Sequence, residues 1–267
     1  MPTNRLVERT VSRLNSQKAV RLQINALTKE GRKAIQSVLL EFFEKESLDK
    51  KHVLPIHYAI VELVFNALKA NIKFVAFREE IRKELNRFEM TEIEDFLQLI
   101  LNERALREFA ATRILPDVLR GEVQNVFNLE EKYRAGMSKK MSDDQIQLIA
   151  KFRELIRSIN ADVLLEIHAT PDEIRIQVLN NVPMLQRDLE RIQNSRIRHA
   201  ALHKQGKGGE FFSYDNMDTT ESAGFGIAMV DQGFYQLGLD PFEHMKIEAK
   251  NKETEATLIY PRSSLSI

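Results

Sequence analysis

Apolar residues recur along this chain with two spacings, and each change of spacing marks a new element. In Lys18 to Asn25, Val20, Leu22 and Ile24 alternate with polar neighbours, the period of a strand with one buried face. Thr28 then stands as N-cap of a helix reaching about Ser47, with Ile35, Val38, Leu39 and Phe42 on its inner side. Pro55 suits the first turn of the helix that follows. From Asn71 to about Ile159 the spacing stays helical and no convincing strand intervenes. Thr91 with Glu94, and Ser142 with Gln145, have the spacing of capping boxes. Phe96, Leu97, Ile100, Leu101, Leu106 and Phe109 mark a helical subdomain, and Arg134 to Asp143 is its most loop-like and basic part, read as solvated surface. At Ala161 the period returns to two. ADVLLEIHA and EIRIQVL read as strands joined at Thr170-Pro171-Asp172. An amphipathic helix from Leu185 to about His203 follows, then a long polar loop from Lys204 to Ser222, then a helix ending near Gly238. MKIEAK and EATLIYP close the chain as a hairpin across Asn251 to Thr254. Met1 to Ser16 reads as a short arm or helix whose fixed structure depends on a partner or on docking.

One stretch departs from simple amphipathicity. In Ala59 to Leu68, AIVELVFNAL, Glu62 and Asn66 are the only polar residues of a helix apolar around its circumference, and such a helix is buried. Four residues apart, they stack on one face, which Lys69 continues. A buried carboxylate or amide must be hydrogen-bonded, paired or coordinated, so this face either satisfies a neighbouring backbone group or forms a site.

Composition narrows the classes. The 267 residues include 39 basic and 39 acidic side chains, and a zero net charge argues against a generally basic nucleic-acid binder. The absence of cysteine excludes disulfides and thiolate metal sites. The first residues lack the apolar core of a signal peptide, and no run of about 18 apolar residues suggests a membrane span. The expectation is a cytoplasmic protein with no membrane partner.

Three motifs then carry the chemistry. Gly224 and Gly226, flanking Phe225, open a helix where backbone N–H groups can approach an anion. Together with ELVFNALK, and with VLNNVPML at a strand end, SAGFGIAMV resembles the boxes of the GHKL superfamily, the histidine-kinase-like ATPases, in their order and settings. Glu62, Asn66 and Lys69 match the pattern E-x-x-x-N-A-x-K. Asn180 stands at the adenine-recognising aspartate, Pro183 at the familiar proline, Val182 and Met184 at two glycines, and Ser222 at the first glycine of the last box. The resemblance implies an α+β two-layer sandwich of a mixed sheet and helices, over residues 18–72 and 160–261. Residues 73–159 form a large helical insertion, residues 1–17 an N-terminal arm and residues 262–267 a C-terminal tail. It implies ATP and Mg²⁺ as cofactors, with Asn66 holding the metal, Glu62 as the catalytic carboxylate, Lys69, Asn180, Gly224, Phe225 and Gly226 binding nucleotide, and Lys204 to Ser222 as a lid.

The function expected from these residues is that of an ATP-binding regulatory protein of signal transduction, acting as a Mg-dependent ATPase or protein kinase. The helical insertion would contact a protein partner, and a homodimer stays open. The alternative is a scaffold that has lost productive ATP binding, suggested by Asn180, Val182 and Met184. His52 and His57 read as capping or surface residues, because no two-helix phosphoacceptor hairpin surrounds them. His199 and His203 have metal-ligand spacing on one helix face, without a third ligand nearby.

Overall fold

A computed structural model describes residues 4–87, 92–114, 117–213 and 223–266. The order is α1 (Asn4–Asn15), β1 (Val20–Ile24), α2 (Lys29–Lys45), α3 (Val53–Arg87), α4 (Ile93–Asn102), α5 (Arg104–Ile114), α6 (Asp117–Lys132), α7 (Asp143–Ser158), β2 (Val163–Ala169), β3 (Glu173–Asn180), α8 (Gln186–Lys204), α9 (Ala223–Gln236), α10 (Pro241–His244), β4 (Met245–Ala249) and β5 (Thr254–Pro261).

The strands form one sheet in the order β1-β2-β3-β5-β4. Its register places Leu22, Leu165, Val178, Ala256 and Ile247 in one row, with Val20, Ile167, Ile176, Leu258 and Met245 in the next. Residues two apart share a face, so both rows point to the helices and build the main core with α1, α2, the first half of α3 and α9. The other face is mostly polar, as at Arg21 with Glu166 and Gln177 with Glu255. This is the α+β arrangement expected, but the sheet is not mixed: every pairing is antiparallel. The physical reason is the placement of β5. It inserts between β3 and β4, which run in the same direction, so the long connection through α8 and α9 never yields a parallel neighbour.

The ends of the chain are part of the core. Val7, Val11 and Leu14 bring α1 onto it, and Leu265 is fully buried, with its carbonyl accepting from Asp49 N at 2.9 Å. Local signals act as read. Thr28 Oγ1 accepts from Gly31 N at 3.0 Å, and Ser142 and Gln145 close both bonds of a capping box at 3.3 and 3.2 Å. Thr91 lies outside the described residues; Glu94, its suggested partner, pairs with Arg78. The segment from Arg134 is wound rather than open: a π turn over Tyr133–Met137 and a 3-10 turn over Ser138–Lys140 follow α6, with Gly136 at φ 79°.

The 35-residue helix α3 connects everything. Its first half lies under the sheet. Ile72, Val75 and Ala76 then pack with Val126, Phe127 and Phe152 of α6 and α7, and Phe77 and Ile81 pack with Leu97, Leu101, Ala110 and Ala111 of α4 and α5 and with Leu185 before α8. No described helix is long and apolar enough to cross a membrane.

Ile60 on α3 is fully buried in the main core. Ile60→Ala is expected to destabilise the protein by about 2–5 kcal/mol, transfer loss plus cavity. Ser142→Ala, which removes only a cap, is expected to cost about 1 kcal/mol. Urea denaturation of both variants measures the difference, and equal costs would contradict this account of the core.

Candidate functional site

Glu62, Asn66 and Lys69 follow one another along a half-buried stripe of α3. Asn66 Nδ2 donates to Glu62 Oε1 at 3.0 Å. Burial pushes the Glu62 carboxyl above its usual range; the bond from Asn66 and the charge of Lys69 oppose that rise without cancelling it. Lys69 Nζ lies 4.5 Å from the centre of the Phe127 ring, a cation–π contact with α6.

Gly226, in the first turn of α9, explains how α3 and α9 come so close. A Cβ at this position would lie 1.7 Å from Glu62 Oε1 and 2.1 Å from its Cδ, so the carboxylate occupies the space that any side chain here would fill. Gly224 belongs to the same helical turn. Phe225 points elsewhere, with its ring 5.8 Å from Phe211 and 6.0 Å from Phe212.

Asn180 is positioned by register. It lies opposite Val163 and Thr254, in the row of the helix-facing side nearest the end of β3, and is 2% exposed. Its Nδ2 donates to Ala67 O of α3 at 3.1 Å, while its Oδ1 has no hydrogen-bond partner. An amide held by its nitrogen presents its oxygen as a pure acceptor. The fold thus brings Glu62, Asn66 and Gly226 together and ties Asn180 to the same helix, at the residue after Asn66. Val182 is buried, and its carbonyl accepts from Thr254 Oγ1 at 3.1 Å. A Lys73–Asp188 ion pair at 2.7 Å joins α3 to α8.

The expected lid is folded over part of its length. Gly208–Phe212 form a 3-10 turn with Phe211 buried, its ring 5.1 Å from His199. An aromatic-rich end to a polar segment gave it a core to join. Residues 214–222, Ser222 among them, lie outside the described residues. His199 is fully buried among Phe211, Phe212 and Tyr235, and burial lowers its pKa. His203 stacks on Tyr235 at 3.7 Å. The spacing of these two histidines serves aromatic packing, and no group of three or more His, Cys, Asp or Glu suited to a metal occurs among the described residues. His57 Nε2 lies 3.0 Å from Arg32 O, joining α3 to α2.

A second buried polar group escaped the sequence reading. Asp231 of α9 receives Arg196 Nε at 3.1 and 3.0 Å, and Arg196 also donates to Met245 O at 3.2 Å and Pro241 O at 2.8 Å. The signal was present: Asp231 is a lone carboxylate in the apolar run IAMVDQGF, the rule that singled out Glu62. No family model, curated protein or solved structure matches the chain.

The Glu62 shift has a definite sign in stability. With its folded pKa above the ordinary 4.5, the folded state holds the proton more tightly than the unfolded chain. That contribution is complete below the unfolded value and is lost as pH rises through the raised one. Glu62→Gln is therefore expected to gain stability relative to the parent between acid and neutral pH. Denaturation curves across that range test it, and a difference independent of pH would refute burial as the cause.

Proposed function

We propose that this protein binds Mg²⁺ and an adenine nucleotide between the Glu62–Asn66 stripe of α3, the start of α9 and the end of β3. The observation that carries this reading is Asn180 Oδ1. A buried acceptor without a donor is costly, and its nitrogen is already committed to Ala67 O. Asn180 therefore accepts from a ligand N–H such as the adenine amino group, in the role an aspartate fills in the histidine-kinase-like ATPases that the sequence resembles.

The other residues fit the same use. Asn66, donating its N–H to Glu62, retains a hard oxygen suited to Mg²⁺, which completes its shell with water and phosphate oxygens. Lys69 offsets phosphate charge, and the Gly224–Gly226 turn at the N-terminus of α9 supplies backbone N–H groups. Glu62, with its pKa raised by burial, is poised to accept a proton from an attacking hydroxyl or water. The reaction class is phosphoryl transfer or ATP hydrolysis. Phe96, Leu99, Leu106 and Phe109 are exposed apolar residues of α4 and α5 and form the surface for a protein partner or a second copy of the chain.

A second reading, a non-catalytic scaffold, draws on the contact at Gly226, where the Glu62 carboxylate occupies the approach to the glycine turn. Calorimetric titration with ADP and a non-hydrolysable ATP analogue separates the two. Mg²⁺-dependent binding is expected, lost in Asn180→Leu and deprived of its Mg²⁺ dependence in Asn66→Ala, with circular dichroism confirming the fold of both. Absence of heat and of thermal shift at millimolar nucleotide would leave the scaffold.

A further inference from the structure

A cavity of about 990 Å³ opens on another side of α3, between residues 23–32, the middle of α3, and α6 with α7. Its size lies at the upper end of small-molecule pockets, roughly 300–1,000 Å³. The floor is aromatic: Phe65 and Phe127 meet edge to face at 6.0 Å, with Phe152 beside them. The rim is cationic, carrying Lys29, Lys132 and Arg157, none ion-paired among the described residues. Of the two carboxylates in the wall, Glu130 is held by Arg153 at 3.1 Å, and Asp162 is the other, against three rim cations.

The deepest polar group is Asn71. It is 1% exposed, its Nδ2 donates to Ala161 O at 3.0 Å, and its Oδ1 has no partner. An acceptor oriented in this way inside an aromatic cavity calls for a donor.

The geometry points to a second ligand site, for a planar organic anion. A flat ring system lies on the phenylalanine floor, an N–H of that ring donates to Asn71 Oδ1, and a phosphate, sulfonate or carboxylate meets the Lys29–Lys132–Arg157 rim. An alkyl anion would satisfy floor and rim but leave the Asn71 oxygen dry. The two sites have no lining side chain in common, although Lys69 touches Phe127 of this floor, and the substitutions that test them are different.

Anilinonaphthalene sulfonate unites fused rings, an N–H and an anion, and its fluorescence reports burial. One molecule is expected to bind. Lys132→Glu with Arg157→Glu, both at exposed positions, should weaken it by about tenfold or more. Asn71→Leu should weaken it as well, whereas Asn66→Ala and Asn180→Leu should leave it unchanged. Naphthalene sulfonate, lacking the N–H, should displace the dye only at higher concentration, and inorganic phosphate or acetate should not displace it. Dye binding indifferent to the rim reversal would overturn the proposal, even if Asn71→Leu failed to fold. So would equal competition by naphthalene sulfonate, because Asn71 would then recognise nothing.

Discussion

The helix α3 buries apolar residues from Val53 to Ile81, and each part of that length needs its own cover from the rest of the molecule. At about 1.5 Å per residue it is roughly 50 Å long, more than one sheet can cover. The five strands, α1, α2 and α9 enclose its first half, α6 and α7 its middle, and α4, α5 and the approach to α8 its end. The sheet layer and the helical segment are therefore not joined by a linker. They share α3: the helix on which α4 and α5 pack is the one that carries Glu62 and Asn66.

The polar atoms along this helix divide into two kinds. Arg196 and Asp231, nearby on α8 and α9, are fully reciprocated, and their neighbours are backbone carbonyls. Such a network rigidifies. Asn180 and Asn71 behave differently. Each gives its N–H to a backbone carbonyl across the junction of α3 with the β2–β3 hairpin, Ala67 O in one case and Ala161 O in the other, and each keeps an unpartnered oxygen. The backbone fixes the orientation of both amides, which removes the ambiguity that makes asparagine a weaker recognition group than aspartate.

Much of the architecture was legible from short-range pattern. Val20, Leu22 and Ile24 lie in β1, the Thr28 and Ser142 caps close, and both hairpins turn where their polar residues predicted, because strand period and capping depend on neighbours a few residues away. Pairing depends on residues far apart in sequence, so nothing local revealed that β5 would insert between β3 and β4 and make the sheet antiparallel. The segment expected as a loop from Lys204 is wound into a turn at Gly208–Phe212 for a similar reason. The segment is polar by composition, but Phe211 found an aromatic pocket made by α8 and α9.

For the candidate site, the sequence by itself determined the chemical inventory: a carboxylate, an amide and a cation on one helical face, a glycine pair opening a later helix, and an amide at a strand end. Helical and strand periods suffice to put such residues on a face. Tertiary structure alone decided how they are used. The approach of α3 to α9 set the Glu62 carboxylate against Gly226, the sheet register turned Asn180 toward Ala67, and the packing of α6 brought Phe127 under Lys69. Those are contacts between distant segments, governed by the burial of one long helix against three groups of partners rather than by any local preference of the residues that make them.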